Sequence, residues 1–78
     1  MRKEIIDALS ARYEAQVAES HATIKIYLQN SVGIGEHPQH IDEVDKLMQV
    51  IADAEEKIQI LQRYKGWFKV MAKIMTYL

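Results

Sequence analysis

The side chains best suited to chemistry fall in one short stretch, SVGIGEHPQH at residues 31–40, where Glu36, His37 and His40 lie close together. A carboxylate and two imidazoles are metal-ligand types, and histidines three apart can share a helix face. Zinc, however, takes three or four protein ligands, with further partners orienting each imidazole. The one remaining histidine, His21, lies well back in the preceding segment, so the expectation is no metal. Gly33 and Gly35 precede a helix start, where exposed N–H groups can hold an anion. Yet no Gly-Lys-Ser/Thr follows, no strand precedes, and Glu36 would repel a phosphate, so a structural turn is the better reading. Ser10, Ser20 and Ser31 have no histidine and carboxylate beside them to make a nucleophile. Asp42 and Asp53 each have a lysine four residues on, Lys46 and Lys57, which is the spacing of surface helix pairs. Cysteine is absent, removing thiolate catalysis, disulfides and cysteine-based zinc sites together. The sequence therefore predicts no catalytic residue, no cofactor and no enzyme.

The elements that would position these residues are two long helices. From Lys3 to Gln29 there is no proline or glycine. Ile6, Leu9, Tyr13, Val17, Ser20, Ile24 and Leu28 recur in steps of three and four that close after 11 residues, so the stripe runs nearly straight along a helix. Ser20 is its one polar member; its hydroxyl can bond back to the preceding turn or let another helix approach. A second helix starts at Pro38, a residue suited to a first turn, with Asp42, Glu43 and Asp45 favoured by the helix dipole early on. Val44, Leu47, Ile51, Ala54, Ile58 and Leu61 then form a heptad seam, narrow at Ala54. The spacing predicts helices over 3–29 and 38–65, a turn over 30–37 built on Gly33, Gly35 and Pro38, and a left-handed cap at Gly66. Helices of matching length joined by a short link make an antiparallel hairpin. Val17, Ile24, Val44, Leu47, Ile51, Ile58 and Leu61 are the expected bundle core.

Residues 67–78, WFKVMAKIMTYL, read as a third, short amphipathic helix, and the sequence leaves open whether it folds back or continues the second helix in a straight line. Lys69, Lys73 and Thr76 share a narrow arc, and apolar residues fill most of the rest. So wide an apolar arc must be covered by something, which makes Trp67, Phe68, Met71, Ile74 and Met75 the expected contact surface. A chain of 78 residues is one domain and buries little surface alone, so the all-α hairpin is expected to self-associate into a bundle of four or more helices. Charge is uneven: residues 31–64 carry a net of minus four and residues 65–78 a net of plus three. An acidic middle with a short basic end fits a nucleic-acid binder poorly. A protein partner is expected instead, with membrane-surface attachment through the basic amphipathic end as the alternative. No apolar run is long enough for a signal peptide or a spanning helix.

Residues 32–61, VGIGEHPQHIDEVDKLMQVIADAEEKIQIL, carry the segment VGIGEHP and then an acidic helix with IADAE. This run resembles small uncharacterised helical-hairpin proteins of tailed bacteriophages, especially marine ones. The likeness covers about residues 3–64 and is weakest from Lys65 onward. It implies a phage product acting in the cytoplasm of an infected bacterium, as an adaptor, inhibitor or assembly component, and implies no particular activity.

Overall fold

The computed structural model describes residues 2–29 and 38–76, which form two α-helices, α1 (Arg2–Gln29) and α2 (Pro38–Thr76). No strand occurs among the described residues, so the chain is all-α. Three contacts fix the direction of packing. Tyr27 meets His40, with ring centroids 5.3 Å apart. The Lys57 ammonium lies 5.3 Å from the Tyr13 ring, and the Arg2 guanidinium 5.9 Å from the Phe68 ring. Residues ascending along α1 thus meet residues descending along α2, and the pair is an antiparallel hairpin, 66 Å in its longest dimension. Pro38 is the first residue of α2; Gly33, Gly35 and the remainder of the turn lie outside the described residues.

The interhelical face is narrow. Ile24, Ile51, Ala54 and Leu61 are its buried apolar residues, and Ser20 its buried polar one. Ala54 and Ser20, at 1% and 4% exposure, are the most enclosed of these. Both are small, so they let the two backbones approach where the seam is tightest. Val17, Val44, Leu47 and Ile58 flank them, half-buried. Hydroxyl bonds back to the preceding turn occur at other sites: Thr23 Oγ1 donates to the Glu19 carbonyl at 3.0 Å, and Thr76 Oγ1 to that of Ala72 at 2.9 Å.

The expected separation of a third helix at Gly66 is overturned. α2 continues without a break to Thr76. No described glycine has a positive φ, and an added Cβ at Gly66 would meet nothing within 4 Å. A single glycine weakens a helix interior by about 1 kcal/mol relative to alanine, too little to end a helix whose flanking residues all favour continuation. Helix two therefore occupies Pro38–Thr76 in place of 38–65 followed by a separate segment.

Candidate functional site

α1 has 28 residues and α2 has 39. The Arg2–Phe68 contact sets the start of α1 level with Phe68. Lys69 and Ala72 still border the start of α1, and only the last turn of α2 runs on past it. Continuity through Gly66 gives this far end a definite geometry. At about 100° per residue, Ile60, Tyr64, Trp67, Met71 and Ile74 fall in one stripe roughly 100° around the helix from Leu61 and Phe68, which face α1. Their steps of four, three, four and three are those of a helix-packing seam. All five side chains are exposed, Trp67 to 53% and Ile74 to 50%. Met75, 67% exposed, widens the stripe on one side.

The stripe carries a recess. Ile60, Arg63, Tyr64 and Trp67 line an open groove of about 440 Å³. Four residues at positions i, i+3, i+4 and i+7 are the set that forms the hole for one incoming side chain in knobs-into-holes packing. On the other side of the same end, Ile6, Phe68 and Ala72 floor a cleft of about 570 Å³ between the helices. Its rim carries Arg2, Lys3, Lys65 and Lys69, with Asp7 as the single acid among the lining residues.

The expected contact residues separate into two groups. Trp67, Met71, Ile74 and Met75 are exposed, whereas Phe68 is half-buried against the start of α1, beneath Arg2. Adjacent helical residues point about 100° apart, so Trp67 and Phe68 serve different faces while touching edge-on, with centroids 5.1 Å apart. Ile60 and Tyr64 belong to the outer stripe and were not among the expected contact residues; extending the three-four spacing backward through Gly66 finds them. Ile24, Ile51 and Leu61 are buried within a single hairpin, so their surface is used before any second molecule arrives.

Among the described residues no three histidines or carboxylates gather as a metal site. His40 packs beside Tyr27, and Glu36 and His37 lie outside the described residues. No described helix is long and apolar enough to cross a membrane. No family model matches the chain, and neither a curated protein nor a solved structure matches it.

Proposed function

We propose that this protein works by helix packing: it self-associates and binds protein through the outer stripe at the far end of α2. Acting as an adaptor, inhibitor or assembly component in a phage-infected bacterium is the role that the resemblance of residues 32–61 suggests. The observation that carries the reading is the uncharged apolar stripe Ile60, Tyr64, Trp67, Met71 and Ile74, exposed along one face of α2. Contiguous apolar surface of this kind marks interaction sites. Tyrosine and tryptophan anchors are the residue types that dominate binding energy, and methionine adapts to an irregular partner surface. Trp67 is the only tryptophan, so its fluorescence reports this face alone. Raising the protein concentration is expected to shift its emission to the blue and reduce its quenching by iodide. Unchanged emission and full quenching at every concentration would defeat self-association through this stripe.

A second reading draws on the cluster of Arg2, Lys3, Lys65 and Lys69 around the end cleft. Cations beside an apolar helix face suit the surface of an anionic bilayer. Flotation with phosphatidylglycerol vesicles separates the two readings. The membrane reading expects salt-sensitive binding, and the packing reading expects none.

A further inference from the structure

We infer that the outer stripe of α2 is occupied by the same stripe of a second copy, running antiparallel, with Met71 of each molecule seated in the groove of the other. The inference rests on the packing reading above and deepens it by naming the occupant and the register.

The argument begins with the groove. Its four lining residues, Ile60, Arg63, Tyr64 and Trp67, centre it between positions 63 and 64. A second α2 laid antiparallel with Trp67 at the two-fold axis brings Met71 level with that centre. Ile60 then meets Ile74 of the second copy, and the same pairing repeats on the other side of the axis. One register therefore fills both grooves at once, as an isologous contact requires. Methionine is a suitable knob, because its unbranched thioether fits irregular spaces and packs favourably against aromatic edges, here Tyr64 and Trp67.

Area and charge support the same occupant. Covered completely, the exposed parts of Ile60, Tyr64, Trp67, Met71, Ile74 and Met75 would supply at most roughly 700 Å² per copy, most of the ~800 Å² per partner of a standard interface. Lys65, Lys69 and Lys73 lie on the opposite side of the helix, so the contact arc is uncharged from Ile60 to Met75, with Arg63 at its edge. Charge also chooses the direction. A parallel pair would set the two Arg63 side chains directly opposite each other. The antiparallel register separates them by about 12 Å along the axis at 1.5 Å per residue, beyond the ~8 Å screening length of physiological salt.

Cysteine cross-linking tests the register, because the chain has no cysteine of its own. Ile60→Cys and Ile74→Cys variants are each oxidised alone and after mixing. The expected result is a disulfide-linked dimer from the mixture only. In parallel, light scattering is expected to give twice the 9.0 kDa chain mass for the wild type and half of that dimer mass for Met71→Asp, at unchanged helicity by circular dichroism. A Lys73→Ala control is expected to remain dimeric. Cross-linking of either cysteine variant alone would show a parallel register and overturn the inference. A dimer indifferent to Met71→Asp, with no mixed disulfide, would also overturn it while leaving self-association through another face. A wild type that stays monomeric at every concentration would overturn both. If Met71→Asp fails to fold, the mixed-cysteine result still decides the register.

Discussion

The two halves of α2 are built on the same rule and put to different use. Between Val44 and Leu61 the three-four spacing faces α1, and Ile51, Ala54 and Leu61 are buried by it. Between Ile60 and Ile74 the same spacing reappears about 100° further round the helix, on a face exposed to solvent. The first seam thins before its partner ends: after Leu61 its next position is Lys65, and Phe68 then meets Arg2 at the start of α1. A helix can thus lose its neighbour without losing its own hydrogen bonds. α2 keeps its neighbour through Gly66 and loses it only beyond Phe68 and Ala72.

The largest way to break this comparison is to attack the covered half. Ile51→Asp places an unpaired charge in the tightest part of the hairpin, which costs several kcal/mol and exceeds what so small a core can supply. Circular dichroism is expected to show loss of most helical signal at 25 °C. The equivalent change on the open half, Ile74→Asp, is expected to leave the helical signal of the hairpin in place. Equal losses from the two variants would erase the distinction between the halves.

Ala54→Leu is next in size. Ala54 is 1% exposed, so three added carbons have nowhere to go, and overpacking of this kind costs about 1–3 kcal/mol. Urea titration is expected to show a lower midpoint with unchanged slope. A higher midpoint would mean that the helices stand farther apart at this position than the burial of Ala54 indicates.

Gly66→Ala sharpens the comparison directly, because its sign depends on the backbone. In a continuous helix with open space at the Cβ position, alanine is expected to stabilise by about 0.5–1 kcal/mol. In a left-handed cap it would destabilise instead. Thermal unfolding reads the sign, and a lowered melting temperature would restore the separate third helix. The smallest effect is expected at Arg2→Ala, which removes the cation over Phe68 and costs about 0.5–1 kcal/mol at an exposed site. Its signature is earlier fraying of the first turn of α1 in hydrogen exchange, with residues near Ala54 unaffected.

Much of the hairpin was legible in the sequence because apolar spacing alone specifies a helix face. Ile24, Ile51 and Leu61 stand on the seams where that spacing puts them, and Pro38 begins the second helix. The far end was less legible for a physical reason. Gly66 follows the charged seam position Lys65, and a glycine beside a break in the apolar spacing looks like a helix terminus when only the first seam is followed. Phe68 and Trp67 are adjacent in the chain, so composition grouped them, whereas helical geometry sends one toward Arg2 and the other outward. The candidate site was named at Trp67, Met71, Ile74 and Met75. Tyr64 was legible as an aromatic anchor, whereas Ile60 was hidden because it precedes the apparent stop.

The end of α2 places Lys69 at the rim of the cleft against α1 and Lys73 one turn beyond it. A protease cuts a backbone it can pull open, and a helix supported on no side opens most readily. Trypsin is therefore a ruler for this molecule. Early nicks after these lysines report a bare end, and their delay reports the moment when something has settled upon it.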